Sequence, residues 1–152
     1  MKIYTKILEI ATHKEVEFGD ITKEINSILA EFGTKTGMVL IQTMNTTTAV
    51  YVNENEKFLF EDLHAHLEKQ VPKGGFKHDQ IAERGCPEDE PLNGHAHVKA
   101  TFYGNPSVTL AYDNGKLTIG GWQSVIFVEH DGPCPRNNKI GCRKLLIRAI
   151  GD

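Results

Sequence analysis

No stretch of this chain approaches the roughly 18 to 20 consecutive apolar residues that a helix needs to cross a bilayer. The opening residues, Met1-Lys2-Ile3-Tyr4-Thr5-Lys6-Ile7-Leu8-Glu9-Ile10, carry too short an apolar core for a secretory signal. Together these absences argue for a cytoplasmic location with no membrane partner. Cysteine is scarce. Cys86, Cys134 and Cys142 are odd in number and form no C-x-x-C pair, which speaks against a disulfide framework and a zinc ribbon and for reduced thiols. Cys134, set between two prolines near Arg136, has the surroundings of a reactive nucleophile, although a bystander thiol is the favoured reading. Positive charge is not in excess either. Seventeen Lys and Arg stand against 20 Asp and Glu, a net charge of -3, so no global field exists to hold nucleic acid or an anionic surface. Any anion site must be local. Asn45-Thr46-Thr47 matches the N-glycosylation pattern but has no consequence without an export signal.

What is present fits one domain over 1–152, long enough to bury about 70% of its unfolded surface without cross-links. The first ten residues alternate as a strand, with Tyr4, Lys6, Leu8 and Ile10 on one side and Ile3, Thr5, Ile7 and Glu9 on the other. A loop over Thr12 to Gly19 precedes a helix with Asp20 as its N-cap. The apolar stripe of that helix is Ile21, Ile25, Ile28, Leu29 and Phe32, and Gly33 ends it. Met38 to Ile41 and Thr46 to Val52 are rich in strand-forming residues. Asn53 or Asn55 then caps a helix whose inner side carries Phe58, Leu59, Asp62, Leu63, His66, Leu67 and Val71, up to Pro72. About twenty irregular residues extend from there to Asn93, a length typical of a functional lid or a disordered segment. Asp113-Asn114-Gly115 marks a type I′ hairpin turn between strands at Ser107–Tyr112 and Lys116–Ile119. Strands at Trp122–His130 and Arg143–Ile150 complete the chain.

Chemistry concentrates around Asn93-Gly94-His95-Ala96-His97, which leads into the strand-like run Val98 to Tyr103. On a strand, His95 and His97 share one face with Cα atoms roughly 6.6 to 7 Å apart, so two imidazoles converge on one metal or anion. The alternative is a half-exposed strand whose histidines face water or carboxylates. His78-Asp79, in the irregular segment, pairs a possible ligand with a possible orienting carboxylate. Glu129 ends its strand as a ligand, a base or a solvated terminus, and Arg136 and Arg143 have guanidinium forks that match phosphate oxygens. The threonines near Asn45 form either a solvated strand face or the lining of a polar pocket. His64 and His66 diverge on a helix and are not ligands.

Several blocks taken together resemble the YjbQ-type family, small bacterial and archaeal proteins named for a secondary thiamine-phosphate synthase activity. They are Asn45 to Asn55, His78-Asp79, Asn93 through Lys99, Gly120-Gly121-Trp122-Gln123, and Glu129-His130-Asp131-Gly132-Pro133 followed by Arg143. The resemblance covers nearly the whole chain. It implies an α+β fold in which a strongly curved, mostly antiparallel sheet packs against two helices, assembled as a homotrimer. It also implies a polar site near the subunit boundary that holds a divalent metal, zinc or magnesium, or a small phosphorylated molecule. The matching positions are Glu54, His78, His97, Gln123, Glu129 and Arg143. Asn45 stands where the family's first motif usually begins with histidine, and a neutral amide oxygen is a poor zinc ligand, so either the site holds metal more weakly or His95 replaces the missing donor beside His78 and His97.

The activity implied joins a thiazole phosphate to a hydroxymethylpyrimidine pyrophosphate with loss of pyrophosphate. In it Glu54, His97, Glu129 and Arg143 act in catalysis, and Asn45, Thr46, Asn93, Gln123 and Arg136 contact substrate, with Lys99 a further cation for the diphosphate. A non-catalytic trimeric metal- or anion-binding module and a metal-dependent hydrolase are the other readings of the same residues.

Overall fold

Alternation in the opening residues produces β1 (Lys2–Ile10), whose Tyr4, Lys6, Leu8 and Ile10 side is half-buried while Ile3, Thr5, Ile7 and Glu9 face outward. The computed structural model describes residues 1–135 and 141–152. After β1 come β2 (Glu17–Asp20), α1 (Thr22–Phe32), β3 (Thr36–Thr43), β4 (Thr48–Asn53) and α2 (Lys57–Gln70). A short helical turn at Lys77–Asp79 and α3 (Ile81–Arg84) lead to α4 (Gly94–Phe102). The chain closes with β5 (Ser107–Asp113), β6 (Lys116–Leu117), β7 (Ser124–Glu129) and β8 (Arg143–Gly151). Every strand pairing among the described residues is antiparallel. One sheet has the order β1-β8-β3-β5-β6 and the other β2-β7-β4, which gives the expected α+β architecture.

The stripe on α1 buries Ile21, Ile25, Ile28 and Leu29 against Val39 and Ile41 of β3 and Leu145, Ile147 and Ala149 of β8. Each such side chain contributes about 1.5–3 kcal/mol by leaving water. Gly33 ends α1 in the left-handed region at φ 72°, where its N–H reaches the Leu29 carbonyl. The β3 and β8 residues come from the inner face of the five-stranded sheet, and Val50, Val125 and Phe127 from the smaller sheet close the core on the other side. A second apolar cluster, Ala49, Ile126 and Val128 with Phe18, Tyr51 and Phe60, lies on the opposite face of the small sheet. Its Phe18 and Phe60 rings stack at 5.0 Å.

Several boundaries move. Asp20 closes β2 instead of capping α1, yet its Oδ1 still accepts the Thr22 N–H at 2.8 Å. Glu56, not Asn53 or Asn55, caps α2 by accepting from the Phe58 and Leu59 N–H groups. Residues 17–20 form an edge strand because they pair with β7, a long-range partner that four residues without alternation do not advertise. The hairpin turn is as expected, with positive φ at both Asn114 (48°) and Gly115 (71°). Its return strand stops at Leu117, and β7 begins at Ser124, leaving Trp122 80% exposed. Among the described residues no helix is long and apolar enough to cross a membrane.

Candidate functional site

The histidine segment is a helix, and this changes which imidazole meets which. Val98, Thr101, Phe102 and Tyr103 have strand-forming side chains, but all lie on the outer or half-buried side of α4 and its C-terminal end. Besides Gly94 at its start, the buried residues are His95, Ala96, Lys99 and Ala100, spaced i, i+1, i+4 and i+5, so helical burial overrides β-propensity. Positions i and i+2 diverge on a helix, and His95 and His97 therefore do not converge. His95 is 4% exposed and turned toward Glu15, whose Oε1 lies 3.4 Å from its Nε2. As a replacement for the missing donor at Asn45 it is misplaced.

His97 instead meets His78. Their ring centroids are 4.5 Å apart with planes tilted by 60°. The contact depends on how the 77–79 turn is tied to the start of α4. Asp79 Oδ1 accepts the Gly94 N–H at 2.8 Å, and Arg84 Nη1 donates to the His78 carbonyl at 2.7 Å. A Cβ at Gly94 would fall 2.5 Å from Phe76 Cβ, so only glycine allows this approach. Burial, reinforced by the neighbouring His78, pushes the His97 pKa below its ordinary value, while Asp131 pulls the other way.

Asp131 links this pair to an arginine. Asn93, 6% exposed, donates from Nδ2 to Asp131 Oδ2 at 2.7 Å and accepts the His97 N–H on its carbonyl at 3.2 Å. The Asp131 carbonyl accepts from Arg143 Nη2 at 3.0 Å. Glu129, fully buried, grips the same guanidinium in a fork, from Nε to Oε2 at 2.5 Å and from Nη2 to Oε1 at 2.9 Å. Glu129 also accepts from Thr12 Oγ1 at 3.0 Å and from the Asp131 N–H at 2.9 Å. Burial works against the charge on Arg143, but the Glu129 carboxylate outweighs it and holds the guanidinium pKa above its usual value. With both oxygens engaged, Glu129 is a positioning residue for Arg143. Arg143 Nη1 makes no hydrogen bond among the described residues.

The remaining expected residues are less concentrated. Asn45 lies beside the start of β8, its Oδ1 accepting the Lys144 N–H at 3.1 Å, and Thr46 next to it is exposed. Lys99 is 1% exposed and paired with Glu68, so it neutralises a carboxylate of α2. Glu54 follows the end of β4, and Gln123 closes the 120–123 turn by accepting the Gly120 N–H at 2.8 Å. In the small sheet Asn53 pairs with Ser124 and Thr48 with Glu129. Glu54 and Gln123 thus stand about six residues, ~20 Å, from Glu129 within one chain. They do not share its hollow. Arg136 lies outside the described residues.

Thr12 and Asp131 are contributors that pattern reading does not single out. Thr12 is an isolated residue brought in by its bridge to Cys134, 122 positions away, whereas Asp131 stands inside the Glu-His-Asp-Gly-Pro block. The expected metal set does not assemble. Two imidazoles fall short of the three protein ligands usual for catalytic zinc, and no group of three His, Cys, Asp or Glu among the described residues is placed to hold an ion.

The arrangement has relatives. The family model described as "UPF0047 protein YjbQ-like" matches residues 6–152. A UPF0047 protein of Archaeoglobus fulgidus is 41% identical over 144 residues, covering 94% of this chain and 98% of that one. The UPF0047 protein YugU of Bacillus subtilis is 32% identical over 86% of this chain and 92% of its own. Among solved structures, a YbjQ-like protein of unknown function from Sulfolobus solfataricus superposes with a TM-score of 0.83 at 30% identity over 99% of both chains.

Proposed function

The chain belongs to the YjbQ-like UPF0047 family, and on that premise we propose that the hollow around His78, His97, Asp131 and Arg143 binds a small phosphorylated molecule and transfers a group as a thiamine-phosphate synthase does. The observation that carries this reading is the forked clamp of Glu129 on Arg143 beside Asp131, to which the helix bearing His97 is also tied. In the reaction the thiazole nitrogen forms a bond to the exocyclic carbon of the pyrimidine as the carbon–oxygen bond breaks, and the pyrophosphate leaves with the electron pair. No proton need move. Such a step asks for alignment of two reactants and for positive charge at the departing oxygens. Arg143, held rigid, supplies that charge, and the two imidazoles offer N–H donors to the phosphate oxygens.

No step is routed through a metal, because the donor set among the described residues of one chain is too small to hold one firmly. Neither does one need a carboxylate base, and Glu129 is committed elsewhere. Assembly of three copies belongs to the same proposal. The outer face of the five-stranded sheet, where Ile3, Ile7 and Met38 are 66%, 42% and 60% exposed, offers an apolar surface for it. Assembly would also give Glu54 and Gln123 a way to reach a neighbouring hollow.

Turnover of the two thiamine precursors by purified protein, read as thiamine phosphate formed, tests the reading. Product is expected from the parent, with a loss of about 10²-fold or more in His97→Ala and in Arg143→Lys, which keeps charge but not the fork. Tight phosphate binding without product favours the non-catalytic module. Full activity in His97→Ala removes that histidine from the reaction.

A further inference from the structure

Among the described residues, the 72–92 connection between α2 and α4 is the longest stretch in which no residue is buried. Both of its ends are fixed. Val71, 6% exposed, closes α2 with its N–H on the Leu67 carbonyl at 2.9 Å, and Lys73 Nζ donates to Glu15 Oε2 at 2.6 Å. At the far end Asn93 is held by Asp131. Just beyond Lys73 stand two consecutive glycines, Gly74 and Gly75, with φ of 84° and 78°. A Cβ on either would meet nothing within 4 Å, so the backbone conformation, and not crowding, calls for glycine there.

Past these glycines the segment is tied together by its own hydrogen bonds. The Asp79 N–H reaches the Phe76 carbonyl at 3.0 Å, the Arg84 N–H reaches the Gln80 carbonyl at 3.2 Å, and Arg84 Nη1 caps the His78 carbonyl. It rests on α4 through Phe76 against Gly94, Asp79 Oδ1 on the Gly94 N–H, and the His78 ring against His97. Arg84 and Glu90 also stand close enough to His97 to act on its charge. A unit with its own internal bonds and no buried residue opens at low free energy.

We propose that residues 76–92 form a lid on the hollow, closed in this structure and hinged at Gly74-Gly75, which opens by carrying His78 away from His97 to admit the phosphorylated molecule. This rests on the reading of the hollow as a phosphate site. His78 travels with the lid and His97 stays on α4, so a ligand held by both rings binds the closed form better and keeps it shut.

Hydrogen exchange of the full chain, followed by mass spectrometry, tests the lid. Amides of residues 76–86 are expected to exchange about tenfold or more faster than those of α2 and α4, and inorganic pyrophosphate is expected to slow them about tenfold. Gly74→Ala combined with Gly75→Ala strains the hinge at its positive φ values and is expected to speed exchange about tenfold as far as Cys86, with α2 and α4 unchanged. Asp79→Ala, which removes the anchor on the Gly94 N–H, is expected to act in the same direction. The lid is overturned if 76–86 exchanges no faster than the two helices, if neither variant speeds exchange beyond the substituted positions, or if pyrophosphate binds by calorimetry without slowing the segment. Pyrophosphate that does not bind at all overturns the reading of the hollow instead, and the ligand-free protein and its variants still decide the hinge.

Discussion

Glu129 and Arg143 show how burial assigns a role that residue type leaves open. A carboxylate at a strand end reads equally as ligand, base or solvated terminus. Here it is fully buried and spent on Arg143, Thr12 and the Asp131 backbone. Removing one partner of such a pair strands the other charge away from water, so Glu129→Leu is expected to destabilise the fold by about 3–5 kcal/mol in urea unfolding. The double variant Glu129→Leu/Arg143→Met is expected to cost less than Glu129→Leu alone. His130 gives a pH dependence of definite sign. The unfolded chain protonates this imidazole below about pH 6.5, whereas the native one resists until about 4. Its contribution is therefore complete above pH 6.5 and declines as pH falls toward 4, by about 3 kcal/mol at most. Unfolding curves across that window are expected to flatten in His130→Phe.

At the level of elements, α4 decides the site. Its residue types favour a strand, and read as a strand it brings His95 to His97; as a helix it brings His78 to His97 and sends His95 toward Glu15. The helical signal was legible, since Ala96 and Ala100 share one face at i, i+4, but side chains such as Val98, Thr101 and Phe102 masked it. The meeting with His78 was not legible, because it depends on Phe76 packing against a bare Gly94, nearly twenty positions on. Gly94→Ala tests that contact. Overpacking there is expected to cost about 1–3 kcal/mol and to part the two rings, lowering precursor turnover while leaving α2 and the sheets intact by circular dichroism.

Across the whole molecule, what repeats locally could be read in advance and what pairs at a distance could not. The α1 stripe, Gly33 and the Asn114-Gly115 turn follow from short-range patterning, whereas the antiparallel α+β class was implied by the family resemblance. The edge strand β2, the bridge from Thr12 to Cys134 and the separation of Glu54 and Gln123 from Glu129 are set by strand register, which no single segment encodes. The outer sheet face belongs to this scale as well. Ile3 and Met38 both pair with Ile150, and Ile7 pairs with Leu146, forming apolar rows across the outside of β1, β8 and β3. Ile7→Glu combined with Met38→Glu is expected to convert the proposed trimer to monomers in light scattering, whereas an unchanged mass would remove this face from the proposed assembly.

The proposed chemistry depends on His78, His97 and Arg143 answering to one ligand. Titration with inorganic pyrophosphate, the proposed leaving group, followed through side-chain nitrogen resonances, tests this most directly. The expected result is that both imidazoles and the Arg143 guanidinium shift along a single saturation curve while His95 stays still. A His95 response coupled to His97, or His78 and His97 shifting independently of each other, would contradict it.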